Sequence, residues 1–447
     1  MVPLQEKLLT YMNNINLEKI KHVHFIGIGG IGVSAVARMM LEKGKKVTGS
    51  DASESRITGE LLKIGAEVFI GHHTENISSD IDLAIYSIAV SPENPEMIEA
   101  KRRGIEIISY PEFLGVISKN YFTIAVAGTH GKTTTTAMVA KTLIDNNNDP
   151  TVIVGSLLSS GGSNFVSGNS KYFVVEACEY RRSFLNINPR ILIITNIDND
   201  HLDYYKDTND IISAFHEFAG NVSEGGCIIA DLNDKNITKA LEGIKTKIID
   251  FSKPKYETLK LNLKVPGEHN RKNARAVLVL VDVLGFDTDK AVKSLENFSG
   301  TWRRFEYKGK TENGAIIYDD YAHHPTEIKA TILGAREKFP DKKLTIIFQP
   351  HLYSRTKLLF NDFISVLSLA DRVIVTDIYA AREPNDNSIT GKMLSDAVKV
   401  KNKNTLYISD FNEIASYLNK NSNNEDVLIT MGAGDVYKVC GALVKVE

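Results

Sequence analysis

Two glycine-rich turns, each between an apolar run and an amphipathic stretch, constrain the fold of this 447-residue chain. The first lies in HFIGIGGIG at 24–32, and the second lies in FTIAVAGTHGKTTTT at 122–136. Short Val- and Ile-rich runs also alternate with helical stretches along the rest of the chain, which is typical of parallel sheets covered by helices. The sequence therefore predicts an α/β fold with mostly parallel sheets.

The strand-like runs fall into three series, and an irregular segment is expected at each junction, at 110–121 and at 297–302. The predicted strands are 22–28, 46–50, 66–70, 83–87 and 106–109, then 122–127, 151–155, 172–176, 190–196 and 227–230, and finally 314–319, 343–348, 372–376, 405–408 and 427–431. We expect a Rossmann-like N-terminal domain (1–119), a central ATPase-like domain (120–300) and a Rossmann-like C-terminal domain (301–447).

The composition excludes several classes of protein. Apolar residues make up 43% of the chain and charged residues 24%, which argues against a mainly disordered chain. With 53 basic and 55 acidic residues, no positive surplus indicates a nucleic-acid or membrane partner. Three separated cysteines do not make a disulfide framework, and neither a signal peptide nor a membrane-spanning run is apparent. We expect a cytoplasmic protein, a monomer or a weak homodimer.

The first turn is typical of a diphosphate site. It precedes a helix predicted at 33–43, and glycines between a strand and a helix allow backbone N–H groups to approach phosphate oxygens at the helix N-terminus. Ser50 and Asp51 follow the next predicted strand, where an acidic side chain can meet a ribose hydroxyl. Taken alone, the pattern fits an NAD-dependent oxidoreductase, and it also fits a turn that binds no ligand.

The second turn is more specific. It contains G-x-x-G-K-T, in which backbone amides hold phosphates, Lys132 meets the β and γ groups, and Thr133 ligates magnesium. Val126 replaces the first glycine of the longer common pattern. A chance Gly-Lys-Thr turn is the alternative. A hydride-transfer enzyme needs no γ-phosphate site, so the two turns together favour a diphosphate-bearing substrate and a second nucleotide that is hydrolysed.

The remaining motifs complete a resemblance to the Mur ligase family that runs from about residue 22 to about residue 438. They are EACEYRRSFL at 176–185, TNIDNDHLDYY at 195–205, GEHNRKNARA at 267–276, GTWRRFE at 300–306, DDYAHHPTEI at 319–328, FQPHLYSRT at 348–356 and GAGD at 432–435. The chain looks most similar to the alanine-adding members.

The resemblance implies an ATP-dependent ligase that joins L-alanine to the lactyl carboxylate of UDP-N-acetylmuramate for peptidoglycan precursor synthesis. ATP would convert the carboxylate into an acyl phosphate, which the amine of L-alanine then attacks. A carboxylate is a poor electrophile, so the mixed anhydride divides one difficult step into two easier ones. The expected cofactors are ATP and Mg²⁺.

The resemblance also implies roles for individual residues. The expected UDP-substrate contacts are Gly27, Gly29, Gly30, Ile31, Gly32, Ser50, Asp51 and Ser87. The expected ATP contacts are Gly128, Thr129, His130, Gly131, Lys132, Thr133, Thr134, Asn270, Asn273 and Asp320. The expected magnesium ligands are Thr133, Glu176 and His201, the alanine contacts are His324, His351 and Arg355, and the catalytic set is Lys132, Glu176, His201, Arg304, His351 and Arg355.

Several of these residues also fit structural roles. Glu176 fits an ion-paired carboxylate, Asn270 or Asn273 fits the cap of a helix predicted at 274–284, and Arg355 fits the partner of an acidic neighbour. Leu352 stands where many relatives carry an arginine, so we expect Arg355 to bind the alanine carboxylate. Leu352 would then line an apolar wall, or the missing charge would come from elsewhere, such as from Arg382. Whether Glu179, Arg181 and Arg182 face the substrate is not decided by the sequence.

Three other functions stay open at this level. One is a recycling ligase that adds a whole murein peptide to the same sugar acid, because the motifs do not fix the size of the amine substrate. Another is the NAD-dependent oxidoreductase, which leaves the turn at 128–133 unexplained. The third is a non-catalytic, ligand-sensing protein that keeps the fold without turnover, and the intact set of Lys132, Glu176, His201 and Arg355 argues against it.

Overall fold

The computed structural model describes residues 15–157, 162–201, 204–257, 261–381 and 383–444. Strands and helices alternate through this part of the chain and build three separate sheets. Most neighbouring strands are parallel, which confirms the predicted α/β class. Among the described residues, no helix has both the length and the apolar character that crossing a bilayer requires.

The first sheet is fully parallel and has the order β3-β2-β1-β4-β5. Its strands are β1 (His22–Ile26), β2 (Lys46–Asp51), β3 (Glu67–Ile70), β4 (Leu83–Tyr86) and β5 (Glu106–Ser109). The accompanying helices are α1 (Ile31–Glu42), α2 (Arg56–Lys63), α3 (Pro95–Arg102) and α4 (Tyr110–Ser118). Chain order reverses at β1 and β4, and ligands of such sheets bind where it reverses.

The second sheet has the order β12-β11-β10-β6-β9-β7-β8 and is parallel except for the β7–β8 pair. Its strands are β6 (Phe122–Ala127), β7 (Thr151–Ile153), β8 (Phe165–Val166), β9 (Tyr172–Glu176), β10 (Ile191–Ile194), β11 (Cys227–Ala230) and β12 (Lys247–Asp250). The helices that follow in this part of the chain are α5 (Lys132–Asp145), α6 (Thr208–Gly220), α7 (Lys235–Ala240), α8 (Pro254–Glu257), α9 (Glu268–Leu284) and α10 (Thr288–Glu296).

The third sheet has the order β13-β14-β18-β15-β16-β17 and is parallel except for the β13–β14 pair. Its strands are β13 (Glu306–Lys310), β14 (Ile316–Asp320), β15 (Lys343–Phe348), β16 (Arg372–Val375), β17 (Thr405–Tyr407) and β18 (Asp426–Met431). Its helices are α11 (Pro325–Lys338), α12 (Tyr353–Leu358), α13 (Phe360–Leu367), α14 (Gly391–Lys401), α15 (Phe411–Asn421) and α16 (Lys438–Leu443).

The three sheets belong to two compact units. Unit 1 comprises Met1–Asn199, Asp207–Lys260 and Arg275–Leu295 and holds the first two sheets. Unit 2 comprises Asp200–Lys206, Leu261–Ala274 and Glu296–Glu447 and holds the third sheet. Three short segments that the sequence assigns to the central domain, 200–206, 261–274 and 296–300, thus lie in unit 2. The boundaries at 119/120 and 300/301 stay predictions.

The sequence misjudged one junction and two helix starts. Tyr110–Ser118 is helical rather than irregular, because Ser109 and Glu112 form a reciprocal capping box at its N-terminus. Helix α1 begins at Ile31 rather than at residue 33, and α9 begins at Glu268 rather than at residue 274. Ile31 and Asn273 therefore lie within helices.

The strands that the sequence missed are short or at a sheet edge. Phe165–Val166 has two residues, and Lys247–Asp250 and Glu306–Lys310 are edge strands. The last of these reads EYKGK and buries no residue fully. Edge strands commonly carry charged side chains instead of an apolar run, so they give little sequence signal.

Candidate active site

The first glycine turn lines a cavity of about 640 Å³. Strand β1 ends at Ile26, and Gly27 turns the chain with φ +81°, in the left-handed region that favours glycine. The N–H of Gly29 donates to Oδ2 of Asp51 at 2.8 Å, which ties the turn to the end of β2. Of the predicted UDP contacts, the cavity is lined by Gly27, Gly29, Gly30, Asp51 and Ser87.

The other three predicted UDP contacts are placed elsewhere. Ser50 is fully buried, and its hydroxyl donates to Oε2 of Glu96 at 2.5 Å. Ser50 and Asp51 point to opposite sides of β2, because side chains alternate along a strand. The Ile31 carbonyl accepts from the Asn164 side chain, and a Cβ at Gly32 would lie 2.6 Å from the Tyr110 ring. Ser50, Ile31 and Gly32 do not line the cavity, and their roles toward the substrate stay predictions.

A histidine that the sequence did not single out lines the same cavity. His72 lies in the segment after β3, and its Nδ1 is 2.9 Å from the Ser50 hydroxyl. The buried Ser50 and Glu96 thus hold His72 at the cavity wall. No sequence pattern around residue 72 identifies this histidine. It meets Ser50 only because β3, which precedes it, pairs with β2 in the sheet.

The second glycine turn is fixed by the segment that follows β10. Thr129 N donates to the Asn196 carbonyl at 3.0 Å, and His130 N donates to Oδ1 of Asn196 at 2.9 Å. Asp198 N donates to Oγ1 of Thr129 at 2.8 Å. Gly128 and Gly131 have φ of +139° and +80°, and Gly131 immediately precedes helix α5. The turn is therefore held in shape by protein contacts alone.

Lys132, the first residue of α5, is almost fully enclosed by this turn. Its Nζ donates to the carbonyls of Gly128 at 2.6 Å and Thr129 at 3.0 Å and contacts both carboxylate oxygens of Glu179. Burial opposes the charged form, but the Glu179 carboxylate favours it, and the net effect raises the pKa of Lys132 above its ordinary value. Lys132 is therefore a cation at neutral pH.

Thr133 and Glu176 meet beside Lys132. Oγ1 of Thr133 donates to Oε1 of Glu176 at 3.0 Å, and Gly155 N donates to Oε2 of Glu176 at 2.7 Å. A Cβ at Gly155 would lie 2.7 Å from the carboxylate, so a larger residue at this position would displace the Glu176 side chain. Magnesium prefers oxygen ligands, and this hydroxyl–carboxylate pair offers two of them. Thr134 follows in the same helical turn and is buried.

Cys178 lies two residues after Glu176 and reaches solvent. Its crowded surroundings, and then the nearby Glu179 carboxylate, raise the pKa of the thiol to about 12. A nucleophilic cysteine needs a lowered pKa, so the environment of Cys178 does not activate it.

His201 belongs to unit 2, whereas Thr133 and Glu176 belong to unit 1. The His201 backbone N–H donates to Oδ1 of Asp200 at 2.7 Å, and its φ is +54°. The structure thus brings together two of the three predicted magnesium ligands, and the metal role of His201 stays a prediction.

Arg355 lies in α12 and forms two polar contacts within unit 2. Nη2 donates to Oδ1 of Asp200 at 2.9 Å, and Nη1 lies 3.2 Å from Nδ1 of His351. Burial disfavours ionisation of Asp200, yet His201 and Arg355 hold the pKa of Asp200 well below its ordinary value. The His351 ring stacks on Tyr379 at a centroid distance of 5.8 Å. The predicted alanine contacts His351 and Arg355 are therefore adjacent, and Arg355 has an acidic partner.

The other predicted residues of the C-terminal domain have contacts of their own. His324 is the N-cap of α11, and its Nδ1 accepts from Thr326 N at 3.3 Å. Asp320 accepts from Phe305 N at 2.9 Å and from Ala322 N at 2.7 Å, and burial raises the pKa of Asp320 to about 6. Arg304 donates to Glu327 at 3.4 Å. Their roles toward ligands stay predictions, and Arg382, which could supplement Arg355, lies outside the described residues.

Asn270 and Asn273 lie in the first turns of α9, so neither is the predicted cap. The side chain of Asn270 donates to the Pro266 carbonyl at 2.8 Å. Asn273 is buried, and its Nδ2 has no acceptor among the residues that the structure describes. An unpaired buried donor is costly, so the Asn273 amide has donor capacity for a ligand acceptor.

Sequence reasoning missed Glu179 and Asp200 as the acidic partners of Lys132 and Arg355. Glu179 was visible as the second glutamate of EACE, but only the fold shows that it meets Lys132. Gly155 was also missed. It contacts the carboxylate of Glu176, which lies on the neighbouring strand β9, and this contact has no signal in the local sequence.

Comparison with known families matches three successive parts of the chain. The model of the Mur ligase family catalytic domain matches residues 22–122, that of the Mur ligase middle domain matches 126–281, and that of the Mur ligase glutamate ligase domain matches 303–434. These matches confirm the three-domain fold that the motifs implied.

Full-length relatives are similar over nearly the whole chain. The UDP-N-acetylmuramate–L-alanine ligase of Agathobacter rectalis is 44% identical over 460 residues, which cover 97% of this chain and all of that protein. The enzyme of the same name from Clostridium tetani is 42% identical over 454 residues, covering 96% of this chain and 99% of that protein.

Solved structures give the same result. The UDP-N-acetylmuramate-alanine ligase of Thermotoga maritima matches with a TM-score of 0.80 at 32% identity, covering 95% of this chain and 98% of that one. A murein peptide ligase of Psychrobacter arcticus shares the fold, with a TM-score of 0.68 at 24% identity over 95% of this chain and all of that one. The oxidoreductase alternative gains no support from these matches. From its three domain matches and its full-length similarity, the chain belongs to the Mur ligase family.

Proposed function

We propose that this protein is an ATP-dependent ligase that joins L-alanine to the lactyl carboxylate of UDP-N-acetylmuramate. The observation that carries the proposal is the pairing of Thr133 and Glu176 at 3.0 Å beside the phosphate-loop lysine, in a unit that also holds the first glycine turn. The names of the full-length relatives support this choice of substrates.

The ATP side of the reaction is assigned to the second glycine turn. Lys132 would hold the β and γ phosphates, and the hydroxyl of Thr133 and the carboxylate of Glu176 would hold Mg²⁺. Bound magnesium would neutralise charge on the phosphoryl group during its transfer to the substrate carboxylate. The buried Asn273 amide, together with Asn270, is our candidate for the adenine contact.

The UDP side is assigned to the cavity at the first glycine turn. The N-terminus of α1, which begins at Ile31, offers backbone N–H donors to a diphosphate. Asp51, at the end of β2, is placed to accept from a ribose hydroxyl. Ser87 and His72 line the same cavity.

The alanine side is assigned to Arg355 and His351. A guanidinium has five N–H donors, and Asp200 and His351 occupy part of them. The alanine carboxylate would therefore bind beside Asp200 or replace it. Once the acyl phosphate has formed, the alanine amine forms the C–N bond, phosphate leaves, and the amine loses a proton. Further candidates for ligand contacts are Arg304, His324, Asp320 and His201.

The test is ADP release by the full chain with ATP, Mg²⁺ and UDP-N-acetylmuramate, adding L-alanine or a murein tripeptide. We expect turnover with L-alanine and little with the tripeptide. Turnover with the tripeptide alone would support the recycling ligase instead. Glu176→Gln, which removes the charge and retains the shape, is the matched inactive control.

We also propose that the protein acts in the cytoplasm as a monomer or weak homodimer, without nucleic acid or membrane. Its formal charge of -2 provides no net electrostatic attraction to nucleic acid or to an anionic membrane surface. Sedimentation velocity across a concentration series tests the oligomeric state.

A further inference from the structure

The described lining of the cavity at the first glycine turn contains one histidine, His72, and no permanently charged cation. Among the described residues that line it, none is a lysine or an arginine, and the acidic ones are Asp51 and Glu93. The substrate that we propose carries a diphosphate and a carboxylate. Anionic oxygens of this kind are commonly recognised by charge-assisted hydrogen bonds from arginine. A compensating cation should therefore reach the ligand from just outside the lining.

Arg181 is the arginine that contacts the wall of this cavity. Its Nη1 donates to the carbonyl oxygen of Ile88 at 3.2 Å. Ile88 lies between Ser87 and Ala89, both of which line the cavity. Arg181 also follows Glu176 by only five residues. It thus connects the cavity wall to the segment that carries the proposed magnesium ligand.

Among the described residues, no ion pair neutralises the charge of Arg181. Its side chain is exposed, and no carboxylate pairs with it in the described part of the chain. The next residue differs, since Arg182 pairs with Asp210 at 2.7 Å and with Glu217 at 3.1 Å. Arg56, which adjoins the lining residue Ser55, pairs with Glu60 at 2.8 Å. Arg181 is therefore the cation with unused capacity at this wall.

Arg181 and Arg182 lie in a turn with an unusual backbone conformation. Arg181 and Arg182 have φ of 52° and 56°, a left-handed conformation that residues with a Cβ avoid. Arg182 N donates to the Glu179 carbonyl at 2.8 Å, and Phe184 N donates to the Cys178 carbonyl at 2.9 Å, which stabilises the turn. Backbone strain of this kind is concentrated at ligand sites.

We infer that Arg181 binds the anionic part of the UDP-sugar acid, through either its phosphate or its carboxylate oxygens. The inference rests on the proposed function, because that function supplies the substrate. Arg181 would supply the positive charge that the cavity lining lacks, beside the neutral backbone donors at the N-terminus of α1.

The test compares Arg181→Gln with Arg182→Gln, which alters the adjacent arginine of the same turn. Calorimetry with Mg²⁺ and a non-hydrolysable ATP analogue measures the affinity for UDP-N-acetylmuramate. We expect Arg181→Gln to weaken binding about tenfold or more, the usual scale for a lost charged hydrogen bond, while Arg182→Gln stays close to wild type. Arg181→Lys should be intermediate, and the thermal midpoint of Arg181→Gln should stay near that of wild type.

A second ligand, UDP-N-acetylglucosamine, retains the diphosphate and lacks the lactyl carboxylate. An equal loss for both ligands in Arg181→Gln assigns the contact to the phosphates, and a loss confined to UDP-N-acetylmuramate assigns it to the carboxylate. Unchanged affinity of Arg181→Gln for UDP-N-acetylmuramate, or the same loss of affinity in Arg182→Gln, would overturn this inference and leave the proposed function standing. Failure of the wild-type chain to bind UDP-N-acetylmuramate would overturn the proposed function as well.

Discussion

Lys132 and Glu179 form an enclosed ion pair in which Nζ lies 2.9 Å from Oε1 and 2.8 Å from Oε2. The same ammonium group donates to the carbonyls of Gly128 and Thr129. The lysine is therefore charged and contacts four protein oxygens. Phosphate oxygens of ATP would replace some of these acceptors, so the site needs little reorganisation.

The first prediction is that Lys132→Ala abolishes ATP turnover and leaves UDP-N-acetylmuramate binding nearly intact, because the two glycine turns adjoin different sheets. The substitution leaves Glu179 buried without its cation, a loss that costs about 3–5 kcal/mol of stability for buried pairs. Lys132→Ala combined with Glu179→Gln should recover stability but not turnover. Calorimetry with each ligand and urea unfolding make the comparison. Equal loss of affinity for both ligands would contradict the division of roles.

A second prediction concerns Glu176. Glu176→Ala should slow phosphoryl transfer by ~10²–10³, the usual effect of removing one group that stabilises transition-state charge. Gly155→Ala should have a similar effect without removing the carboxylate, since its Cβ would lie 2.7 Å from it. Single-turnover ADP formation at saturating Mg²⁺ measures the step. Full activity of Glu176→Ala would remove this residue from the site.

The third prediction concerns the amino-acid substrate. Arg355→Ala should raise the KM for L-alanine by about 30-fold or more, while acyl-phosphate formation persists, because truncating one partner of a buried charged pair costs about 2–5 kcal/mol. Asp200→Asn is the control, because it removes the carboxylate that competes for the guanidinium and should not raise that KM. An unchanged KM for L-alanine in Arg355→Ala would disprove the assignment.

The fourth prediction concerns pH. Burial raises the pKa of Asp320 from 3.8 to about 6, so the folded state binds this proton more tightly than the unfolded state does. The stability from this group is present below about pH 4 and is lost as the pH rises through about 6. Relative to wild type, Asp320→Asn should therefore gain about 1 kcal/mol between pH 5 and pH 7.5. The measurement is the free energy of urea unfolding of both proteins across this pH range. If the two pH profiles are parallel, Asp320 does not titrate in this range.

Features that depend on local sequence were predictable. The strands Glu106–Ser109, Phe122–Ala127, Tyr172–Glu176, Cys227–Ala230 and Lys343–Phe348 end where the apolar runs end. Both glycine turns were also expected, since each follows a buried strand of a parallel sheet, whereas the common magnesium role of Thr133 and Glu176 was implied by the family resemblance. The helix at Tyr110–Ser118 was missed although Ser109, Pro111 and Glu112 signal its start.

Features that depend on tertiary contacts were not predictable. Ser50 carries the same strand-end signal as Asp51, yet it faces the buried Glu96 rather than the cavity. The partners Glu179 and Asp200 lie 47 and 155 residues from Lys132 and Arg355 along the chain. No local pattern encodes such contacts, because they depend on how distant segments of the chain pack together.

The most direct test of the account is the stoichiometry of ATP hydrolysis and amide formation. Full-length protein with ATP, Mg²⁺ and UDP-N-acetylmuramate would be assayed for ADP and for the UDP-linked product by mass spectrometry, with and without L-alanine. The account predicts one ADP for each alanyl amide formed and almost no product without L-alanine. ADP release that is independent of the sugar acid, or a product formed from a peptide but not from L-alanine, would contradict it.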